Sequence, residues 1–318
     1  MTSVSLTIGV DIGGTKVLGG VVDIRGNVIE SARQPTPADD VAATRDTIVA
    51  VVLELASKHQ VEAVGIGAAG WIDASRSTVL FAPNLAWRHE PLRDYVQAAL
   101  GLPVVVENDA NAAAWAEFRF GAAEDADDSM VMFTVGTGIG GGIVIGGRLL
   151  RGAHGIAAEN GHVLAVPDGH PCGCGRFGCL EQYASGRALV RFARVAAEAT
   201  PERAELLLSK AGGDPAEITG MMVTAAAQSG DEVAVEAFNE IGKWLGQGLV
   251  DIVQLLDPQV LIIGGGVIEA GELLMEPTQL SFRDQLAQRG HSPYADLRAA
   301  RLGNNAGVIG AADLARQR

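Results

Sequence analysis

The feature that most restricts the possible folds is a phrase of sequence that occurs twice. Each copy is a short apolar strand, then a glycine turn with threonine, then a second apolar strand. The first is TIGV, DIGGTK and VLGGVVD (7–23), and the second is SMVMFTV, GTGIGGG and IVIGGRLL (129–150). Helical patterns follow both phrases, and strands that alternate with helices indicate an α/β fold. The repetition of the phrase indicates an internal duplication, so the sequence predicts an α/β protein with two lobes.

The remaining elements are predicted from periodicity and from start and stop residues. A helix is expected over 39–60, with Asp39 or Asp40 as its N-cap. PLRDYVQAALG and ANAAAWAEFRFG are predicted helices, and the region 181–257 is predicted to be mainly helical. QVLIIGGGVI reads as a strand and a glycine turn that opens a helix, DLRAARLG as a late strand, and NAGVIGAADLARQ as a terminal helix.

Composition narrows the class of partner. The 318 residues carry a formal net charge of −14, whereas nucleic acids and anionic membranes are bound through basic patches. We therefore expect no nucleic-acid partner and no membrane partner. The opening residues MTSVSLTIGVD lack the charged and apolar regions of a signal peptide. A cytoplasmic location is therefore expected, and disulfides are rare in that compartment.

All three cysteines of the chain fall within eight residues, as Cys172, Cys174 and Cys179. Thiolates on a tight loop are good tetrahedral zinc ligands, and a histidine nitrogen completes a Cys3His site. His162 and His170 both qualify by sequence. Such a site has no open coordination position, so the metal is expected to be structural. The alternatives are three reduced buried cysteines or a redox role, although no C-x-x-C motif is present.

The glycine turns have the composition of anion-binding loops. DIGGTK follows a strand, but the chain lacks the phosphate-binding motif G-x-x-x-x-G-K-[ST]. GTGIGG (136–141) matches G-x-G-x-x-G, but a strand follows it where a dinucleotide site needs a helix. The amides of this turn are instead expected to face an anion. GGG (264–266) precedes a predicted helix and is a reasonable place to seat a nucleotide. Plain hairpins and loops are the alternative for each turn taken alone.

Acidic residues stand at two informative places. Asp109 follows Glu107 and Asn108 at the end of a predicted strand, where α/β proteins bind ligands. Its carboxylate is suited to accept a proton from a hydroxyl, although it is equally suited to cap the following helix. Glu159, His162 and Glu181 flank the cysteines and suit a ligand rich in hydroxyls, unless they are only surface charges.

DIGGTK, ENDANAAAWAE, GTGIGGGIV, ENGH and CGCGRFGCLE, in this order and at these spacings, resemble the ROK family of repressors, open reading frames and kinases. The resemblance covers essentially the whole chain. It implies a two-lobed actin/hexokinase-like (ribonuclease H-like) ATPase fold with a zinc-stabilised loop in the large lobe. The small lobe is expected over 1–108 and 303–318, the large lobe over 109–302, and the terminal helix is expected to return to the small lobe.

The resemblance also implies an activity, namely transfer of the γ-phosphoryl group of ATP to the 6-hydroxyl of glucose. The site residues that it implies fall into four groups. The general base is Asp109, and the sugar is held by Gly70, Asn108, Asp109, Glu159, His162 and Glu181. The nucleotide phosphates face Asp11, Gly13, Gly14, Thr15, Lys16, Thr137, Gly138, Gly265 and Gly266, with Asp11 also a candidate for the Mg²⁺ shell. Structural Zn²⁺ is bound by His162, Cys172, Cys174 and Cys179, which leaves His170 as a bystander.

Several alternatives stay open. The sugar is glucose, another hexose or an N-acetylhexosamine, and the phosphoryl donor is ATP or polyphosphate. A sugar sensor without catalysis is a further alternative, whereas a repressor would carry a helix-turn-helix before DIGGTK. Trp71 is expected either at the sugar entrance or in the core. The family suggests a homodimer or a homotetramer.

The sequence departs from the family pattern at one position. The family often reads G-E-x-G-H, whereas this chain has Ala158 before Glu159. An alanine is tolerated there unless the backbone requires a positive φ.

Overall fold

A computed structural model of the chain describes residues 5–290 and 292–317. Its strands are β1 Thr7–Ile12, β2 Lys16–Val22, β3 Val28–Pro35, β4 Val64–Ala68, β5 Trp71–Ile72, β6 Val79–Phe81, β7 Arg88–Glu90, β8 Val104–Asn108, β9 Met130–Val135, β10 Ile139–Ile145, β11 Arg148–Leu149, β12 Val260–Gly264 and β13 Asp296–Ala299.

The α-helices alternate with these strands, as an α/β fold requires. They are α1 Val41–Ala56, α2 Leu92–Leu100, α3 Asp109–Phe120, α4 Glu181–Ala184, α5 Gly186–Ala199, α6 Glu205–Lys210, α7 Gly220–Gln228, α8 Glu232–Leu256, α9 Glu272–Gln288 and α10 Ala306–Arg316. Among the described residues, none of the helices has the length and apolar character that crossing a bilayer demands.

Contacts within the chain divide it into two compact units. The first unit comprises residues 5–131, 141–158 and 301–317, and the second comprises 132–140 and 159–300. The boundaries predicted for the lobes, 1–108 with 303–318 and 109–302, stay a prediction.

The first sheet lies in the first unit and has the strand order β3-β2-β1-β4-β8. Strands β1, β2 and β3 are antiparallel, whereas β4 and β8 run parallel to β1 and bring their carboxyl ends to one edge. Ile8, Val10 and Ile12 of β1 are fully buried, together with residues of α1. Because side chains alternate along a strand, the glycine between Ile8 and Val10 faces the opposite side of the sheet.

Helix α10 packs on that opposite side at unusually short range. A Cβ atom on Gly9 or Gly65 would overlap the carbonyl groups of Val308 and Ala311 in α10. The hydroxyl of Thr7 donates to the carbonyl of Ala312 at 2.9 Å. The glycines are therefore needed for the close approach of helix and sheet, and α10 belongs to the first unit.

The second five-stranded sheet has the order β11-β10-β9-β12-β13, in which β12 and β13 are parallel. In the second unit, α8 and α9 lie against each other because glycines of α8 leave room for α9. A Cβ atom on Gly242 would press on Pro277, and one on Gly246 would press on Ser281. Thr278 is buried between them and donates its hydroxyl to the carbonyl of Leu274.

The α/β class and most of the elements are confirmed, and the differences have local causes. The first helix begins after its N-cap Asp40 but ends at Ala56, because Lys58 and His59 leave the helix and pair with Glu30 of β3. The glycine turn of GTGIGGG covers only 136–138, since 139–145 form β10. The segment after GGG begins as a 3₁₀ helix, Gly266–Ala270, before α9. The small sheet β5-β6-β7 was not predicted.

Candidate functional site

The three cysteines and one histidine meet in the second unit. One ligand atom from each of His162, Cys172, Cys174 and Cys179 lies within 4.8 Å of all the others. The Sγ of Cys172 is 3.6 Å from Nδ1 of His162, and the Sγ atoms of Cys174 and Cys179 are 3.7 Å apart. The four side chains thus surround a common centre.

These separations fit a tetrahedral zinc ion. Zinc–sulfur bonds of about 2.3 Å and zinc–nitrogen bonds of about 2.0–2.1 Å, at tetrahedral angles, place two sulfurs about 3.8 Å apart and sulfur and nitrogen about 3.6 Å apart. The Cys172–His162 separation of 3.6 Å and the Cys174–Cys179 separation of 3.7 Å match these values. His170 is outside it: its ring lies against Tyr183, with centroids 5.4 Å apart, and its backbone N–H donates to the Tyr183 hydroxyl.

The second nitrogen of His162 faces a different partner. Nε2 lies 3.8 Å from the carboxylate of Glu159, the residue that the sequence assigned to sugar binding. Because Nδ1 faces the cysteines, the ring orientation of His162 is tied to the cluster on one side while Nε2 faces Glu159 on the other. A metal ion that held Nδ1 would therefore orient this ring.

Glu181 links the cysteine loop to the glycine turn of the second phrase. Its Oε2 accepts a hydrogen bond of 2.9 Å from the backbone N–H of Ile139, and it contacts Gly138 so closely that a Cβ would overlap it. Its Oε1 is 3.8 Å from the Sγ of Cys172. Glu181 is the first residue of α4, directly after the cysteine loop. Within the second unit, the structure therefore brings Gly138 and Glu181 together.

A cavity of about 1030 Å³ opens beside the two glycine turns of the second unit. Thr137 and Gly266, both predicted to bind nucleotide, line it. Gly265 has φ 85° and lies against the backbone of Val135, directly before the 136–138 turn. Further walls come from the 3₁₀ helix Gly266–Ala270 and from α5 and α7, and the residues of α5 and α7 were missed by the sequence reasoning. They include Arg187, Val190, Arg191, Met221, Thr224 and Gln228.

In the first unit, Asp109 is the first residue of α3, at the end of β8. Its side chain is partly buried, and this burial raises the pKa of the carboxyl above its ordinary value of 3.8. The helix is capped by Asn108, whose Oδ1 accepts from the N–H of Asn111 at 2.9 Å. The alternative that Asp109 is itself the N-cap is therefore wrong.

Asn108 is also hydrogen-bonded to Gly70, another residue predicted to bind the sugar. Its Nδ2 donates to the carbonyl of Gly70 at 3.0 Å. Gly70 has φ 134°, and a side chain there would overlap the carbonyl of Phe81. Each polar atom of the Asn108 amide keeps capacity for one further hydrogen bond. The amide is thus held in place and still able to bind a ligand.

The DIGGTK segment places a second carboxylate near Asp109. Asp11 is the second-last residue of β1. Burial together with the negative charge of Asp109 raises the pKa of the Asp11 carboxyl to about 6. The positive charge of Lys16 opposes this shift. Two carboxylates that repel each other suit a divalent cation, and Mg²⁺ prefers oxygen ligands. Asp11 therefore fits its predicted place in a Mg²⁺ shell.

The turn between β1 and β2 is held by hydrogen bonds to the backbone of Gly13. The N–H of Gly13 donates to the carbonyl of Lys16 at 3.0 Å, and Thr36 donates its hydroxyl to the carbonyl of Gly13 at 2.8 Å. Thr15 is exposed. Gly14 faces Asn84, an exposed residue that the sequence reasoning did not consider. No local pattern marks Asn84, because its position depends on the small sheet β5-β6-β7.

The structure decides what the sequence left open at Trp71 and at Ala158. Trp71 is 39% exposed and lies against Phe81, with ring centroids 5.5 Å apart, so the core alternative is wrong.

Ala158 has φ 69°, in the left-handed region that favours glycine. The position where the family often has glycine thus requires a positive φ here as well, and alanine occupies it under strain.

Comparison with known proteins identifies the family of the chain. The family model described as "ROK family" matches residues 7–318. The chain belongs to the ROK family. A glucokinase of Streptomyces coelicolor is 52% identical over 312 residues, which are 98% of each chain. An N-acetylmannosamine kinase of Escherichia coli is 37% identical over 97% of this chain and 98% of its own.

Among solved structures, a ROK family glucokinase from Streptomyces griseus in complex with glucose and AMPPNP is similar to the chain. It is 54% identical, with a TM-score of 0.89, over 99% of this chain and 100% of that one. The predicted actin/hexokinase-like fold of ROK sugar kinases is thereby confirmed.

Proposed function

We propose that the chain is an ATP-dependent glucokinase that forms glucose 6-phosphate, with Asp109 as the general base. The observation that carries the proposal is the partly buried carboxylate of Asp109, whose raised pKa suits a base. It stands in a chain that is 54% identical to a glucokinase solved with glucose and AMPPNP. Asp109 accepts the proton of the 6-hydroxyl as that oxygen attacks the γ-phosphorus. The oxygen bridging to the β-phosphate leaves with the bonding electrons.

The remaining sugar hydroxyls are bound by the other polar residues. The Asn108 amide binds a sugar hydroxyl through the hydrogen-bonding capacity that it retains. The carbonyl of Gly70 keeps that amide oriented. Glu159 and Glu181 accept hydrogen bonds from hydroxyls, whereas the Nε2–H of His162, whose Nδ1 faces the cysteines, donates to a hydroxyl oxygen. Each of these groups is held by contacts of its own, so little entropy is lost when the sugar binds.

The nucleotide base and ribose occupy the cavity lined by α5 and α7, and the phosphates face the glycine turns. The walls of the cavity are mostly apolar and include Val190 and Met221, which suits a planar base. Thr137, Gly138, Gly265 and Gly266 are assigned to the phosphates, as are Gly13, Gly14, Thr15 and Lys16. When bound, Mg²⁺ neutralises charge on the phosphoryl groups; Asp11 holds its water shell.

Zinc at His162, Cys172, Cys174 and Cys179 is structural in this proposal. When bound, it fixes the loop between His162 and Glu181 and has no open position for substrate. His162 then presents Nε2 to the sugar in a set orientation, which is the usual effect of a ligand-orienting metal. The assembly is proposed to be a homodimer or homotetramer, which light scattering would measure.

A coupled assay with ATP-Mg²⁺ and a panel of sugars tests the activity. The panel contains glucose, mannose, fructose, N-acetylglucosamine and N-acetylmannosamine, the last because of the 37% identical kinase. We expect glucose to have the highest kcat/KM. Asp109→Asn should lower kcat by about 10²–10⁴-fold while calorimetry still detects glucose binding. Glucose binding without turnover of any sugar by the wild-type protein would make it a sensor.

Filling the cavity tests the nucleotide site separately. Ala225 lies on α7 at the cavity wall, and Ala225→Phe should raise the KM for ATP by about tenfold or more without changing the KM for glucose. Ala98→Phe, at an exposed position on α2, is the control. Polyphosphate as the only donor used by the wild-type protein would exclude ATP from this role.

A further inference from the structure

Glu107 is a buried carboxylate directly before the residues assigned to the sugar. It is 2% exposed and lies near the end of β8. Its Oε1 accepts from the backbone N–H of Asn108 at 3.1 Å and from Nδ2 of Asn111 at 3.2 Å. The side chain therefore holds both the last residue of the strand and the first turn of the helix that begins at Asp109.

The other oxygen of Glu107 is held by two arginines from distant segments. Nε of Arg151, which follows β11, donates to Oε2 at 2.6 Å, and Nε of Arg76 lies 3.4 Å from the same oxygen. The carbonyl of Arg76 accepts from the N–H of Val106 in β8 at 3.1 Å. Three segments of the first unit thus converge on one carboxylate.

The two arginines are not equivalent. Arg76 makes an ion pair but leaves Nε and Nη2 without a hydrogen-bond partner among the described residues, and burial with the nearby charge of Arg151 lowers the pKa of Arg76 to about 10. Arg151 makes the short charged hydrogen bond, and such bonds are the stronger and more directional ones. The orientation of Glu107 therefore depends mainly on Arg151.

We propose that Glu107 and Arg151 are positioning residues that set the geometry of Asp109 for proton abstraction. The proposal rests on the proposed role of Asp109 as the base. Arg151 fixes Oε2, Oε1 then fixes Asn108 and Asn111, and these residues fix the start of α3. Misplacement of a reacting group by about 1 Å can cost about 100-fold in rate, so a loosened helix start would lower kcat.

Arg151→Met tests the proposal because Arg151 is accessible enough to be replaced, with 27% of its side chain exposed. We expect kcat to fall about tenfold or more, and to be affected more strongly than the dissociation constant of glucose, because the Asn108 amide stays held by the carbonyl of Gly70. Arg151→Lys, which keeps the charge, should recover part of kcat. Arg148→Met removes an exposed arginine from β11 and should leave kcat unchanged. Arg151→Gln replaces Arg151→Met, with the same criteria, if the latter does not fold.

A double mutant separates positioning from a purely structural role. If Arg151 acts through Asp109, Arg151→Met should not lower further the residual kcat of Asp109→Asn. A normal kcat in Arg151→Met with only a lowered Tm would overturn the inference while leaving the proposed function intact. A wild-type kcat in Asp109→Asn would overturn both.

Discussion

The Sγ of Cys172 lies 3.6 Å from Nδ1 of His162, and the opposite nitrogen of the same ring lies 3.8 Å from Glu159. One imidazole therefore connects the cysteine cluster with a carboxylate assigned to the sugar. Loss of a metal from the cluster should weaken sugar binding, because the orientation of the His162 ring would no longer be fixed.

Replacement of one cysteine tests this connection. Cys174→Ser should remove about one zinc per chain, measured by plasma mass spectrometry, and raise the KM for glucose about tenfold or more. His170→Ala is the control, since the His170 ring lies against Tyr183 outside the cluster. Full zinc content in Cys174→Ser would contradict the assignment of the ligands.

The activity should have a characteristic pH dependence. Asp109 must be ionised to accept a proton, and its pKa is raised from 3.8 by burial. The ionised fraction therefore grows as the pH rises through the raised value, and a pH profile of kcat/KM should show an acid limb with a pKa above 3.8.

The neighbouring carboxylate gives this pH profile an internal check. Burial and the negative charge of Asp109 raise the pKa of Asp11 to about 6, so the ionisation of Asp11 should contribute to the acid limb, and Asp11→Asn should move that limb to lower pH, whatever it does to the maximal rate. Asp94→Asn, at an exposed position on α2, should not move it. An unchanged limb in Asp11→Asn would show that another group controls it.

Ala158 offers a stabilising substitution. Its φ of 69° costs a residue with a Cβ about 1–2 kcal/mol, part of which is offset because alanine restricts the unfolded chain more than glycine does. Ala158→Gly should raise the free energy of unfolding by about 0.5–1 kcal/mol. Ala157→Gly, outside the left-handed region, should lower it, and thermal unfolding of both variants measures the difference.

The close packing of α10 predicts a severe effect at Gly65. Gly65→Ala drives a Cβ into the carbonyl of Ala311 and should cost about 3 kcal/mol or more, because backbone atoms cannot move aside. Gly67 lies two residues further on the same strand, with its nearest neighbours at 3.6 Å, so Gly67→Ala is the matched control. Similar melting temperatures for the two variants would contradict the packing argument.

Features that depend only on nearby residues could be predicted from the sequence. The cysteines and His162 stand within 162–179, the helix cap at Asp40 is local, and strands ending in glycine turns follow from short patterns. Asp109 at the end of β8 was predictable for the same reason. Such features need only local backbone geometry, which propensity and spacing describe.

Features that join distant segments could be known only from the packed structure. Arg151 reaches Glu107 across 44 positions, the cavity walls come from α5 and α7, and Gly65 is required by α10. The sequence left open whether Ala158 has a positive φ, and only the structure showed it, since alanine rarely adopts such a φ. These contacts depend on how elements pack, and packing is set by the shape of the whole core rather than by any one segment.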